Sequence, residues 1–408
     1  MSMSTKEIIG IAEKHLMGNI NRYPLAISHG QGMKLFDADG RAYYDFLGGV
    51  ATCALGYAPE VIVRALSEQA AKVIHISNYF YSEPLVRLAE RLTTSSGLGK
   101  AFFCNSGAEA NEAAIKLARK YSHDLYGAGR FGIITATGSF HGRTMATISA
   151  TGQDGVKAGF EPLLPGFTHV PFGDITALAK AITPETCAIM LEPIQGEGGI
   201  LVPPADYFPQ VAALCEEKKL LLVLDEIQTG LGRTGKPYAF MHYSGLKPHI
   251  VALAKHLGGG VAVGAIVAQN EVASHLTPGS HSTTVGGAPL AMAAGLAMTE
   301  TILQDDFLAK VEEVGCYFKN RLQELAQKLG KAIVKDVRGQ GLLLGMELTE
   351  PSVPVVVEMM KRGFLINATA GKVLRFVPPL IVTRAEVDLL IPALEEAIIT
   401  VYPQGTGA

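Results

Sequence analysis

Two apolar runs in this chain end in charged residues that apolar runs seldom carry. The run at 220–224 ends in Asp225, and the run at 250–254 ends in Lys255, closely followed by Gly258, Gly259 and Gly260. Lysine is almost never fully buried without a partner. A single lysine in that place would lay its stem over apolar surface and put its amine in water. Asp225, taken alone, reads as a helix cap or an ion-pair partner. Two parallel strands ending side by side alter both readings, because they deliver an amine and a carboxylate to the sheet edge at which open α/β sheets bind ligands.

An amine for an aldehyde and a carboxylate for a protonated ring nitrogen are what pyridoxal 5'-phosphate asks of a protein. Its phosphate needs a cradle, and Ser106, Gly107 and Ala108 offer one at a strand-to-helix turn, where free amides and the helix dipole attract anions. Ser106 also reads as an ordinary N-cap, and the two roles are compatible. In Ser139–Arg143 an aromatic ring, Phe140, stands three residues before Arg143. The ring could stack on a pyridine, and the guanidinium could grip a carboxylate through two hydrogen bonds.

The stretch GLGRTGKP at 230–237 imitates two nucleotide motifs. A phosphate-binding loop needs Ser or Thr after its lysine, whereas Pro237 brings no hydroxyl and stands where a helix should begin. A dinucleotide fingerprint needs an acidic residue about twenty positions on, yet none occurs between Glu226 and Glu271. The stretch therefore reads as a glycine-rich loop shaping a pocket.

The elements that must hold these residues alternate short β-branched runs with longer stretches of helical period, the pattern of a mostly parallel sheet flanked by helices. Strands are predicted at 101–105, 131–136, 188–192, 220–225, 250–254 and 263–268, with amphipathic helices at 109–121 and 207–218. From about 303 a long amphipathic helix runs to 329 and leads into strands at 332–337 and 341–348. Near the start, strands at 32–36 and 42–46 flank an Asp-Ala-Asp-Gly turn. The predicted architecture is α/β, with a large domain over 58–302. A smaller α+β domain is built from both chain ends, 1–57 and 303–408; a chain of 408 residues is long enough for two cores.

With 35 basic and 38 acidic residues and a net charge of -3, the chain has no basic stripe suited to nucleic acid or acidic membranes. No apolar run reaches the roughly 18 residues of a membrane span, and the first fifteen residues lack the apolar core of a signal peptide. Five scattered cysteines with no CxxC spacing predict neither disulfides nor a metal site. A cytoplasmic enzyme of small metabolites is expected.

Five ordered motifs, NSGAEANEAA, FHGRT, EPIQGEGG, LDEIQTGLGRTGK and LAKHLGGG, resemble the class III, fold type I pyridoxal-phosphate aminotransferases over about 23–401. The resemblance implies that Lys255 carries the cofactor as a Schiff base, Asp225 binds its ring nitrogen, Gln228 its ring hydroxyl and Phe140 its face. Gly107 and Ala108 would hold its phosphate, which Thr284 of the neighbouring subunit would also reach. Arg143 would bind a substrate carboxylate, Glu197 and Arg375 would form a second carboxylate site, and Thr283 would lie near the substrate. The implied enzyme is a homodimer with shared active sites. It would move the terminal amine of N2-acetyl-L-ornithine to 2-oxoglutarate in arginine biosynthesis; the alternatives are another donor (succinylornithine, ornithine, an acyl-lysine analogue or 4-aminobutyrate), a mutase or decarboxylase on the same fold, or a catalytically silent binding protein. Val50 stands where the members acting on free ornithine carry tyrosine. The chain departs from the family's usual residues at Tyr57, His249, Ser282, Val285 and Ala288, the last three beside the implied phosphate contact.

Overall fold

The computed structural model describes residues 3–403; Met1, Ser2 and 404–408, the outermost parts of the two predicted terminal segments, lie outside the described residues. Its central sheet has seven strands: β1 Lys100–Cys104, β2 Gly132–Ala136, β3 Phe167–Val170, β4 Thr186–Leu191, β5 Leu221–Asp225, β6 Ile250–Leu253 and β7 Gly264–Ala268. They lie in the order β1-β7-β6-β5-β4-β2-β3. Strands β2 to β6 pair in parallel, and β7 alone runs antiparallel to both its neighbours, β1 and β6.

Strands β4 to β7 are buried at every position, so they read as continuous apolar runs and not as alternation. Alternate residues still divide between two cores. Leu222, Leu224, Val251 and Leu253 pack with Tyr207, Phe208 and Val211 of the helix Tyr207–Lys218, whereas Leu221, Val223, Ile250 and Ala252 pack with Ala110, Ala113, Ala114 and Leu117 of the helix Gly107–Tyr126. The alanines let that second helix lie close to the sheet. Strand β3, absent from the sequence reading, is an edge strand of Phe-Thr-His-Val whose single buried residue, Val170, gives no apolar run to detect.

The chain ends are knitted together. Strands Ile27–Gln31, Lys34–Asp37 and Ala42–Asp45 form an antiparallel meander, and Phe364–Leu365 adds to it in parallel with Ala42–Asp45. A second four-stranded sheet, antiparallel throughout, holds Val334–Gln340, Leu343–Leu348, Val373–Phe376 and Asn367–Thr369. The helix Asp305–Leu329 buries Val311, Phe318, Leu322 and Leu325 against Phe46, Leu344, Phe376 and Leu394. The predicted Asp-Ala-Asp-Gly turn is closed by Asp37, whose Oδ1 accepts the amides of Asp39 and Arg41 at 3.1 and 2.8 Å. Among the described residues no helix is long and apolar enough to cross a membrane, all five cysteines are free, and no cluster of His, Cys, Asp or Glu could hold a metal.

Candidate active site

Because β1, β4, β5 and β6 all point the same way, the residues that follow them gather at one sheet edge around a cavity of about 460 Å³. Asp225 ends β5, in register with Ala252 of β6, and Lys255 opens the turn that follows β6. Lys255 has a φ of 37°, a left-handed conformation that L side chains rarely adopt. Asn105 to Ala108 follow β1, and their close approach to β7 depends on Gly264, where a Cβ would lie 2.3 Å from the Ser106 carbonyl oxygen. Phe140 and Arg143 come from the loop after β2. Lys255, Asp225, Ser106, Gly107, Ala108, Phe140, Arg143, Glu197 and Gln228, all anticipated from the sequence, line this one cavity.

The helix Gly107–Tyr126 starts at the cavity wall. Its N-cap Ser106 accepts the Glu109 amide at 3.2 Å, and the Glu109 carboxylate accepts the Asn105 amide at 2.5 Å. The positive end of its dipole thus faces the cavity, where an anion would be held. The Arg143 guanidinium lies 5.5 Å from the Phe140 ring centroid and is itself exposed, so it stands at the mouth.

Asp225 is 4% exposed and fully engaged. Its Oδ2 accepts from Asn111 Nδ2 at 2.7 Å and meets His141 Nδ1 at 2.8 Å, while Oδ1 accepts the Ile227 amide at 3.1 Å. Burial alone would lower the His141 pKa, but the Asp225 carboxylate, helped by Glu192, raises it, so His141 carries positive charge more readily than a free imidazole. Burial pushes the Glu192 carboxyl up to about 7, against the opposing pull of His141. Glu192 accepts the amides of Phe140 and Gly196 at 3.2 and 3.3 Å and so ties the Phe140 loop to the loop that carries Glu197. Asn111, His141 and Glu192 escaped the sequence reading. Asn111 reads as a polar helix residue, His141 sits between two residues with more obvious roles, and Glu192 directly follows β4.

Arg375, 2% exposed, pairs through Nη1 with Glu197 Oε1. Its other donors reach Asn367 Oδ1 at 3.1 and 2.6 Å, and Nη1 also approaches Gln228 Oε1 at 3.4 Å. Burial would raise the Glu197 carboxyl, and the Arg375 charge more than offsets this and holds it below its ordinary value. Burial likewise brings the Lys255 amine down to about 8, opposed by Glu197 and helped by Arg375. Thr283 and Thr284 do not line the cavity. The hydroxyl of Thr283 accepts from Asn105 Nδ2 at 3.3 Å, and Thr284 is exposed on the surface.

These groups fit pyridoxal phosphate part for part: an amine for its aldehyde, a buried carboxylate for its ring nitrogen, an aromatic ring for its face and a helix N-terminus for its phosphate. A doubly covered, mostly parallel sheet with that set at its edge defines a pyridoxal-phosphate-dependent enzyme. The family model Aminotransferase class-III matches residues 17–398, and the chain belongs to that family of pyridoxal-phosphate-dependent aminotransferases. It is 46% identical over 385 residues to the acetylornithine aminotransferase of Myxococcus xanthus, covering 94% of this chain and 96% of the relative. The acetylornithine aminotransferase of Methanocaldococcus jannaschii is 47% identical over 97% of this chain and 98% of its own. Among solved structures, the ornithine aminotransferase of Toxoplasma gondii ME49 superposes with a TM-score of 0.93 at 30% identity, covering 98% of this chain and 96% of that one. The N-acetylornithine aminotransferase of Stenotrophomonas maltophilia K279a does so with a TM-score of 0.83 at 34% identity, covering 97% and 99%.

Proposed function

We propose that this aminotransferase takes the terminal amine of N2-acetyl-L-ornithine and passes it to 2-oxoglutarate, in the cytoplasm, as a step of arginine biosynthesis. The observation that carries the reading is the Glu197–Arg375 pair at the cavity wall. An acylated ornithine has one free carboxylate, far from its reacting amine, whereas 2-oxoglutarate has one at each end. Arg143 at the mouth serves the distal carboxylate of both substrates. The carboxylate beside the reacting carbon of 2-oxoglutarate calls for a second cation, Arg375, which Glu197 neutralises while the donor is bound. Relatives named for acetylornithine at 43–47% identity support the donor over free ornithine.

When bound, pyridoxal phosphate supplies an aldehyde that takes up the amine and a ring that delocalises charge from the carbon losing its proton. Lys255 Nζ would hold the cofactor through its aldehyde and would be the group placed to move the proton of the substrate carbon. Positioned transfer of this kind contributes about 10² to 10⁴ in rate. Asp225, fixed by Asn111 and His141, would keep a proton on the ring nitrogen. Gln228 would bind the ring hydroxyl, Phe140 would cover the ring, and Ser106, Gly107 and Ala108 would hold the phosphate. Thr284 would complete the phosphate site of a second subunit, with Thr283 near the substrate there. We place a large domain at 58–302 and a smaller one at 1–57 and 303–408, with Ile62, Ala297, Met298 and Ile302 of the first packed into the core of the second.

A side-by-side donor screen with 2-oxoglutarate tests the assignment. N2-acetylornithine should give the highest kcat/KM; ornithine, succinylornithine or 4-aminobutyrate doing as well would reject it.

A further inference from the structure

The glycine-rich stretch at 230–237 binds no part of the cavity described above, yet it places one residue where arginine is seldom found. Arg233 is completely buried and forms no ion pair among the described residues. Its terminal nitrogens meet neutral acceptors alone, and its buried Nε meets none. Nη1 donates to the carbonyls of Leu342 and Pro378 at 2.9 and 2.6 Å, and Nη2 lies 2.8 Å from His256 Nε2. Such burial depresses even a guanidinium, here to about 9. The loop is shaped for it: Leu231, Gly232 and Gly235 all have positive φ, at 53°, 87° and 88°. The Arg233 carbonyl in turn accepts the Leu342 amide at 3.0 Å.

The contact with His256 fixes that ring. A guanidinium only donates, so His256 Nε2 is the acceptor. The ring proton is on Nδ1, which donates to the Leu231 carbonyl at 3.1 Å. Both nitrogens are committed, which fixes the orientation of the imidazole and keeps it neutral. His256 directly follows Lys255, whose backbone is in the left-handed region, a conformation that persists only where surrounding contacts over-determine it. Pro378 lies just beyond the strand Val373–Phe376 that carries Arg375. One buried side chain therefore joins the turn of Lys255 to the sheet of Arg375.

We propose that Arg233 is a positioning residue for Lys255, acting through His256 and anchored on the carbonyls of Leu342 and Pro378. The proposal rests on Lys255 being the reacting amine. Three variants of the holoenzyme test it: Arg233→Met, which keeps bulk and removes the donors, His256→Phe, and the two combined. Each single variant should lower kcat in both half-reactions by about tenfold or more, with KM for donor and acceptor within about threefold. Each should also change the visible circular dichroism of the bound cofactor. The combined variant should be no slower than the slower single one, because the two residues form one chain of contact. A lower melting temperature with kcat and the dichroic band kept would overturn the proposal, as would losses that multiply in the combined variant. If Arg233→Met does not fold, His256→Phe decides by kcat and the band. Lys255→Ala is run beside them: turnover surviving there refutes the role of Lys255 itself, whereas turnover lost there but normal in the other variants refutes only the positioning role.

Discussion

Lys255 and Asp225 were legible in the sequence because each breaks an apolar run at its end, where a buried strand meets solvent or a ligand. Their supports were not legible, since Asn111 and His141 approach Asp225 from a helix and a loop distant in the chain. Lys255→Ala should abolish transamination and leave the fold intact, and steady-state turnover in that variant would refute its role. With its pKa near 8, the amine is about one-tenth neutral at pH 7, and only the neutral form attacks an aldehyde. Cofactor association with the apoenzyme should accordingly speed up as pH rises and level off above about 8, as stopped-flow absorbance would record; a rate flat from pH 6 to 9 would contradict it. Removing the Glu197 side chain leaves Arg375 without its carboxylate. Glutamate should then gain on the ω-amine donor by about tenfold or more, equivalent to about 1.4 kcal/mol, in single-turnover kinetics; equal losses in both half-reactions would speak against the switch.

At the scale of elements, burial decides what the sequence reveals. Strands β4 to β7 are buried on both faces and were found within one or two residues of their ends, while the half-exposed edge strand β3 was not. The helix Pro289–Ile302 was also missed, because it is apolar nearly all round and shows no stripe. His249, one of the departures from the family pattern, has a local explanation. Its Nδ1 accepts the buried Leu222 amide at 2.9 Å, and its own amide donates to the Leu222 carbonyl at 2.9 Å, extending the pairing of β5 and β6 by one residue. Burial lowers its pKa, consistent with a ring that accepts. His249→Ala should cost about 1 to 3 kcal/mol by leaving that amide unpaired, and His249→Asp, which restores an acceptor, should recover much of it in urea unfolding. Equal losses in both variants would show that the ring's packing, and not the hydrogen bond, matters.

For the whole molecule, the run of Tyr79, Phe80 and Tyr81, 89%, 64% and 91% exposed, leaves three aromatic rings in a row open to solvent. The proposed homodimer with shared sites would cover this run and use Thr284, which lies outside its own cavity; light scattering that finds an active monomer would exclude it. The knitting of the chain ends has a consequence for synthesis. Tyr44 pairs with Phe364, and Arg375 comes from a strand further on, so a nascent chain displays Lys255 and Asp225 long before it holds Arg375, the proposed cation for the second substrate. Strands emerging early from the ribosome must wait for a partner made near the end. During that interval the apolar residues of the first meander, Met33 and Phe46 among them, have no finished core to enter. Pauses late in translation, or truncation just before 364, should therefore send this chain to chaperones more often than pauses placed after 398.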